Sequence, residues 1–164
     1  MRFLSFLLVL VLGLGLSACS NSRVYNGPEV TRILVYKEER KMYLLHKTKV
    51  LKKYDIGLGF APVGHKQYEG DGRTPEGTYR VDRRNPDSKF YLSVGISYPN
   101  VNDRAFASSQ GKSPGGDIFI HGEPNVKQKQ LSRDWTAGCI AVRNKDIEEI
   151  YAMVNDGTLI TIYP

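Results

Sequence analysis

Short runs of β-branched and aromatic residues, separated by turn residues, recur along this chain and restrict it to a fold built mainly from strands. Val, Ile, Tyr and Phe fit a pleated, half-buried surface, and such runs bounded by Gly, Asn, Asp or charged turns are typical of strands. The predicted strands cover residues 31–37, 41–47, 49–59, 76–84, 89–98, 117–122 and 158–163. We therefore expect a mainly β fold, whose first two strands form a hairpin around residues 38–40.

One segment has the periodicity of a helix instead. Residues 144–154 place Ile147 and Ile150 on one face, and Asn144 is positioned to cap the first turn. Residues 124–135 are interpreted as a loop or a second short helix. The sequence thus predicts one or two short helices beside the strands.

A long polar loop interrupts the strands at residues 64–77, GHKQYEGDGRTPEG. Loops longer than about 12 residues in a compact domain are usually functional or disordered. We therefore treat this loop as a candidate part of a functional site.

The N-terminus predicts export. Residues 3–16 form an apolar stretch too short for a membrane-spanning helix, which needs about 20 residues. The small residues that follow lead to Cys19 and resemble the lipobox of bacterial lipoproteins, in which the cysteine is acylated. The alternative is an ordinary signal peptide with a chance cysteine. We expect a lipoprotein signal peptide at 1–18, a lipidated Cys19 with a tether at 19–30, and one folded domain at 31–164. Ser20, where an inner-membrane retention signal has Asp, implies the outer membrane of a Gram-negative bacterium, facing the periplasm.

Lipidation would consume one of the two cysteines. Cys139 would then have no partner for an intramolecular disulfide, and a lone thiol in an oxidising compartment is a liability unless it is buried or used. Cys139 is therefore a candidate nucleophile, with a buried structural cysteine as the alternative.

The formal net charge of +6 indicates an anionic partner, or a merely basic surface. No dense run of Lys and Arg and no nucleic-acid-binding motif is present, so nucleic acid is the weakest candidate partner. An anionic membrane or an acidic polymer fits the composition better.

A cysteine nucleophile needs a base within hydrogen-bond reach. His46 lies beside lysines in a predicted hairpin strand and is interpreted as a surface residue. His65 lies in the polar loop and could contact a substrate, while His121 ends an apolar strand directly before Gly122. A rigid strand end suits a catalytic base, so His121 is the candidate, although position alone favours a satisfied core histidine.

His121-Gly122, a gap of sixteen residues, and then Gly138-Cys139 resemble the motif of the L,D-transpeptidase catalytic domain, the YkuD family. The polar segment 70–81 resembles the stretch that these domains carry before the active site. The resemblance covers nearly all of residues 31–164. It implies a β-sandwich-like fold that acts on bacterial peptidoglycan, with no cofactor.

The resemblance also implies the roles of the site residues. Cys139 would be the nucleophile and His121 its general base, with a backbone carbonyl at Gly122 orienting the imidazole. Gly138 and Cys139 would supply backbone amides to the oxyanion, and Thr136 would support the site by hydrogen bonding.

Two positions depart from the family pattern. Ala137 stands where the family often has His, which removes one side chain from the substrate groove. Ala141 stands where the family often has Arg. Arg143 would point to the same side if the strand continued, and could replace that arginine or be a solvated charge.

Other candidates are weaker. Trp135 could line the groove or belong to the core. Arg73 could hold a stem-peptide carboxylate, or pair with Asp71 or Glu76. One Cys and one His are too few ligands for zinc, so no metal site is expected.

The resemblance implies a peptidoglycan L,D-transpeptidase. Cys139 would form a thioester with a tetrapeptide stem, release D-alanine, and pass the acyl group to an amine. The same site with water as acceptor would make an L,D-carboxypeptidase or endopeptidase, or would release a protein from the wall. A non-catalytic wall-binding lipoprotein is the third alternative.

Overall fold

The computed structural model describes residues 24–126 and 132–164, and the strand pattern predicted from the sequence accounts for most of its architecture. The signal peptide and Cys19 lie outside the described residues. Within the described ranges, the strands are β1 (Arg32–Tyr36), β2 (Lys41–His46), β3 (Lys49–Asp55), β4 (Gly77–Ser88), β5 (Tyr91–Ile96), β6 (Phe119–His121), β7 (Ile140–Ala141) and β8 (Leu159–Tyr163). The helices are α1 (Val101–Ser109) and α2 (Asn144–Met153). Neither described helix is long and apolar enough to cross a membrane.

The strands follow the order β3-β2-β1-β8-β4-β5-β6-β7. The predicted hairpin is confirmed, because β1 and β2 pair antiparallel around a turn at residues 37–40. The last strand, β8, pairs parallel with β1 on one side and antiparallel with β4 on the other. The first and last strands of the domain therefore lie side by side within the sheet.

β4 joins two sheets. Its first residues, Gly77–Arg80, pair with β8, whereas residues from Val81 onward pair with β5. The register shifts between Val81 and Arg83 and again between Asn85 and Ser88, and such bulges bend a strand and increase its twist. One long strand thus belongs to the β1–β3 half and to the β5–β7 half, which carries the candidate site.

The core lies between these elements. Because side chains alternate along a strand, the inward residues of β1, β2 and β8 are fully buried. Helix α2 packs on β5 and β6 through its apolar face. The largest fully buried apolar side chains are Ile33, Met42, Leu44, Leu58, Ile96, Ile120, Ile140, Ile147, Ile150, Ile160 and Ile162.

The predicted helix 144–154 is confirmed, but its cap is not the predicted one. The N-cap is Arg143, and Asn144 is the first helical residue. Instead of capping, Asn144 accepts a hydrogen bond from the amide of Glu123 at 2.8 Å, which fixes the helix start beside the end of β6. Of the predicted loop or helix at 124–135, residues 124–126 and 132–135 are not helical, and 127–131 lie outside the described residues.

Helix α1 was not predicted from the sequence. Asn100 caps it by accepting from the amides of Asn102 and Asp103, and the Asp103 carboxylate accepts from the Asn100 amide in return. Only Asp103 and Ala107 of this helix are buried. The helix therefore depends on its capping box more than on an apolar face.

Candidate active site

His121 ends strand β6, and Cys139 directly precedes the parallel strand β7. β6 and β7 pair in a register that sets Ile120 opposite Ile140 and His121 opposite Ala141. Paired residues point to the same side of a sheet, and alternate residues share a side. His121 and Cys139 are thus brought to one face of this short sheet, while the two isoleucines enter the core.

His121 is buried and its orientation is fixed. Its Nδ1 lies 2.7 Å from the carbonyl oxygen of Gly122. A carbonyl only accepts hydrogen bonds, so Nδ1 carries the proton, and Nε2 of the neutral ring is the nitrogen that can take one up. Burial lowers the pKa of His121, and the hydrogen bond to Gly122 opposes this shift. The imidazole is consequently neutral at pH 7.

Gly122 is held in place from two sides. Its amide donates to the carbonyls of Phe90 and Leu92, at 3.0 and 3.2 Å. A Cβ at this position would lie 2.5 Å from the side-chain oxygen of Asn144. Only glycine fits here, and the close packing fixes the carbonyl that orients His121.

The Cys139 thiol is half-buried and contacts the backbone before β6. Its sulfur accepts from the amide of Phe119 and donates to the carbonyl of Asp117, both at 3.4 Å. Burial raises the pKa of the thiol, and the Phe119 amide only partly offsets this. In the described structure no hydrogen bond joins the thiol to His121. The resting pair is therefore a neutral thiol and a neutral imidazole.

Thr136 organises the loop before the cysteine. Its hydroxyl donates to the carbonyl of Cys139 at 2.7 Å and accepts from the amide of Gly138 at 3.1 Å. Gly138 has a φ of 138°, and a Cβ there would lie 2.7 Å from the carbonyl oxygen of Arg73. The amide of Gly138 is thus engaged by Thr136, and the amide of Cys139 is the remaining oxyanion donor of the predicted pair.

The segment after β3 supports this loop through its backbone. Gly57 and Ala141 exchange two hydrogen bonds, and Leu58 accepts from the amide of Thr136. A Cβ on Gly59 would lie 2.0 Å from the carbonyl of Gly72. The predicted strand 49–59 accordingly ends at Asp55, because the residues that follow pair with the cysteine loop and the polar loop instead.

The predicted functional loop at 64–77 is ordered by two buried lysines. Lys66 binds Asp71 at 2.9 Å, with both side chains 3% exposed. Burial opposes ionisation of Asp71, but backbone amides and Lys66 together hold the pKa of its carboxyl below the usual range. Lys37 donates to the carbonyls of Gly64 and Thr74, and binds the Glu76 carboxylate at 2.7 Å.

One cavity of about 570 Å³ contains both candidate catalytic side chains. The β4–β5 turn forms one wall, and the start of β6 forms the other. Its lining residues are Asn85, Asp87, Ser88, Lys89, Phe90, Ser93, Asp117, Phe119, His121 and Cys139. A substrate that enters this cavity reaches the thiol and the imidazole together.

A second cavity of about 510 Å³ lies on the other side of an aromatic pair. Trp135, Ala141 and Arg143 line it. The rings of Phe90 and Trp135 are 5.7 Å apart, and both contact the His121 ring, at 4.4 and 5.6 Å. Trp135 therefore lines a groove and supports His121, as the sequence allowed.

The remaining substrate candidates lie away from the Cys139 cavity. Strand β7 ends at Ala141, so Arg143 does not extend the pleat as assumed; it binds Asp146 at 2.6 Å. Arg73 does not form either expected ion pair, because Asp71 binds Lys66 and Glu76 binds Lys37. Ala137 is exposed, and neither Arg73 nor Ala137 lines the cavity.

The other histidines have structural contacts. His65 accepts from the amide of Glu76 at 2.9 Å and contacts Asp103 at 3.0 Å, so it links the polar loop to α1 rather than facing the cavity. His46 lies at the surface, as predicted, with Nδ1 2.8 Å from the carbonyl of Glu29.

The sequence analysis missed several residues around the thiol. Phe119 precedes His121 by two positions, so the strand period alone places it on the same face. Asp117 also had a signal in the sequence, because it follows two glycines, which are typical of a turn. In the structure it adopts a left-handed φ of 53°. Phe90 and Ser93 come from β5 and its turn, and nothing local in the sequence connects them to the motif.

Comparison with known proteins agrees with this geometry. The L,D-transpeptidase catalytic domain model, YkuD, matches residues 30–162. An Escherichia coli protein named "Putative L,D-transpeptidase YafK" is 32% identical over 145 residues, covering 80% of this chain and 53% of that protein. This chain thus spans about half the length of the curated relatives it matches.

Solved structures share the fold. The helical cell shape determining protein Pgp2 from Campylobacter jejuni is 28% identical with a TM-score of 0.64, over 84% of this chain and 49% of that one. Bd1075 from Bdellovibrio bacteriovorus is 24% identical with a TM-score of 0.58, over 87% of this chain and 51% of that one. The mainly β fold inferred from the motif is confirmed. Since the family model spans nearly the whole folded domain, the chain belongs to the L,D-transpeptidase catalytic domain (YkuD) family.

Proposed function

We propose that this protein is a peptidoglycan L,D-transpeptidase with Cys139 as nucleophile and His121 as general base. One observation carries the proposal: both side chains line a single cavity, and the Gly122 carbonyl holds His121 so that Nε2 is its proton-accepting nitrogen. Family membership makes acyl transfer at a cysteine the relevant chemistry.

The first half-reaction forms a thioester. The thiol leaves its contact with the Asp117 carbonyl, gives its proton to His121 Nε2, and the sulfur attacks the carbonyl carbon of the third residue of a tetrapeptide stem. The amide of Cys139 donates to the oxyanion. The C–N bond then breaks, and His121 returns the proton to the amine of the departing D-alanine.

The second half-reaction transfers the acyl group. An amine of a neighbouring stem, or of a lipoprotein, loses a proton to His121 and attacks the thioester carbon. The C–S bond breaks, and the sulfur regains the proton. A new amide and a free thiol result, so atoms and protons balance over the cycle.

The resting protonation states support general-base catalysis. Burial keeps the thiol protonated and the imidazole neutral, so the proton moves when substrate arrives. A neutral His121 can accept that proton, whereas an imidazolium cannot. The proposal therefore requires His121 for chemistry and not only for lowering the pKa of the thiol.

Hydrolysis is the second candidate, and the aromatic pair favours it. Phe90 and Trp135 stand between the Cys139 cavity and the second cavity, with ring centroids 5.7 Å apart. A bulky amine acceptor from the second cavity must pass these rings, whereas water needs no such route. The same thioester would then release a shortened stem as a carboxylate.

The proposed location is the periplasmic face of the outer membrane, through an acylated Cys19. Acyl chains contribute about 0.8 kcal/mol for each buried methylene, so several chains give stable anchoring. The net charge of +6 suits a cell wall that carries carboxylates.

The test is mass spectrometry of the purified protein incubated with disaccharide-tetrapeptide and with crosslinked wall fragments. Loss of D-alanine together with a crosslinked dimer would support transpeptidation. Tripeptide or cleaved crosslinks without dimers would instead support hydrolysis.

Two variants serve as controls. Cys139→Ala should abolish every product. His121→Ala should lower the amount of product formed. Wild-type protein that binds wall fragments without forming any product would favour the non-catalytic wall-binding alternative.

A further inference from the structure

Beside the thiol, an arginine crosses a strand to hold an exposed carboxylate. Arg83 lies on β4 opposite Gly95 of β5. A Cβ on Gly95 would lie 2.6 Å from Cγ of Arg83, so the side chain crosses β5 where that strand has no side chain. Glycine weakens a strand interior, and here its absence of a side chain makes room for the arginine.

The guanidinium reaches β6. Its central carbon lies 4.5 Å from the centre of the Phe119 ring, and Nη2 donates to the Asp117 carboxylate at 2.9 Å. Nη1 donates to Asp82 on the other side, at 2.9 and 3.1 Å. The charge of Arg83 is therefore shared between two carboxylates and is not free to bind an anion.

Asp117 has an unusual backbone conformation. Its φ of 53° lies in the left-handed region, which is uncommon for a residue other than glycine. Its side chain is 90% exposed, although Arg83 binds it. Strain at a residue whose backbone contacts a nucleophile is a feature of functional sites, and here the Asp117 carbonyl accepts from the Cys139 thiol.

The described charged residues that line the Cys139 cavity are mainly acidic, although Arg83 pairs with one of them, Asp117. Among the described residues that line the Cys139 cavity, Asp87 and Asp117 are acidic and Lys89 is basic. A substrate group near Asp117 is thus favoured if it is cationic. Asp117 and Cys139 line the same cavity, so the residue whose carbonyl Cys139 attacks enters the space beside this wall.

We propose that Asp117, positioned by Arg83, binds the ammonium group on the side chain of the residue whose carbonyl Cys139 attacks. This inference rests on the proposed function and adds a substrate requirement to it. In a stem peptide with diaminopimelate as third residue, that group is the free side-chain ammonium. Asp117 becomes a specificity-determining residue, and Arg83 a positioning residue that acts through it.

The test compares two tetrapeptide stems that differ in one charge. One carries diaminopimelate, and the other carries the same residue with its side-chain amine acetylated, which keeps the carboxylate and removes the positive charge. Binding is measured by calorimetry on full-chain Cys139→Ala protein, so no chemistry is needed. We expect the cationic stem to bind about fivefold more tightly, the upper range for a solvent-exposed ion pair.

The variants separate recognition from structure. Asp117→Asn should remove the preference by weakening only the cationic stem, and Arg83→Met should reduce it. Asp82→Asn is the matched control, because Asp82 also binds Arg83 but does not line the cavity, and it should keep the preference. Equal binding of the two stems by the parent protein, or equal weakening of both by Asp117→Asn, would overturn the proposal.

Turnover of the two stems by protein with Cys139 intact separates this proposal from the proposed function. A binding preference without any product would refute the enzymatic function and leave the ammonium site standing. Product formed equally from both stems would refute the ammonium site and leave the enzymatic function standing.

Discussion

Replacing Thr136 with Val should destabilise the protein although the two side chains have nearly the same shape. The Thr136 hydroxyl is the acceptor for the Gly138 amide and the donor to the Cys139 carbonyl. Valine offers neither group. The side chain is 4% exposed, so water cannot take the place of the hydroxyl.

The expected magnitude follows from the two groups left behind. A buried amide without an acceptor costs about 1–3 kcal/mol, and the partly buried Cys139 carbonyl adds less because it lies nearer solvent. We expect the free energy of unfolding to fall by about 2–3 kcal/mol. With a urea dependence of about 1–3 kcal/mol per molar, the unfolding midpoint should drop by about 1–2 M.

Urea unfolding followed by the fluorescence of Trp135 measures this directly. Thr136→Ser is the matched control, because it keeps the hydroxyl and loses one methyl group, worth about 0.8 kcal/mol. The valine variant should therefore be clearly less stable than the serine variant. Equal midpoints for the two variants would mean that the hydroxyl does not organise the loop.

Three further predictions concern charge. Lys37→Met should lower the free energy of unfolding by about 2–4 kcal/mol, because it leaves the Glu76 carboxylate and two carbonyls without their buried partner. Lys41→Met is the control at an exposed ion pair, and it should lower the free energy of unfolding by less than about 1 kcal/mol. Similar losses in thermal or urea unfolding for both variants would contradict this. Alkylation of Cys139 in the free protein should still accelerate between about pH 8.5 and 9.5, since burial raises the thiol pKa above its usual value of about 8.5; a plateau below pH 8 would refute it. Because burial lowers the pKa of His121 in the folded protein, the unfolded chain takes up a proton first as the pH falls below about 6.5. The free energy of unfolding should therefore decrease below that pH, and His121→Asn should make this decrease smaller.

The strands were predictable because their pattern is local. In β1, β2 and β8, alternating apolar residues face one core, so the period of two survives in the sequence. β4 was predicted too short, because Asn85, Pro86 and Asp87 are turn residues by composition. Pairing with β5 across two register shifts overrides that local preference.

Helix α1 was missed for the opposite reason. Its sequence, VNDRAFASS, has almost no apolar face, so periodicity gives no signal. The signal that existed was Asn100 followed three positions later by Asp103, which form the capping box.

The candidate site divides in the same way. His121 and Cys139 were predicted because each sits in a short motif next to glycine. The Arg83 to Asp117 contact joins residues 34 positions apart on different strands, and only the sheet order brings them together. The orientation expected for Arg143 depended on a strand that does not continue past Ala141.

The parallel pair of β1 and β8 has a consequence for how the domain forms. Among the described strands β8 lies between β1 and β4, so Leu159–Tyr163 joins the two halves in the sheet order. The N-terminal hairpin can assemble from neighbouring segments, but its strand pairing with the half that carries Cys139 requires the last strand of the domain. Contacts between residues so far apart in the sequence form slowly. A stop codon shortly before Leu159 would therefore leave β1 and β4 with open edges where β8 pairs with both strands in the intact domain.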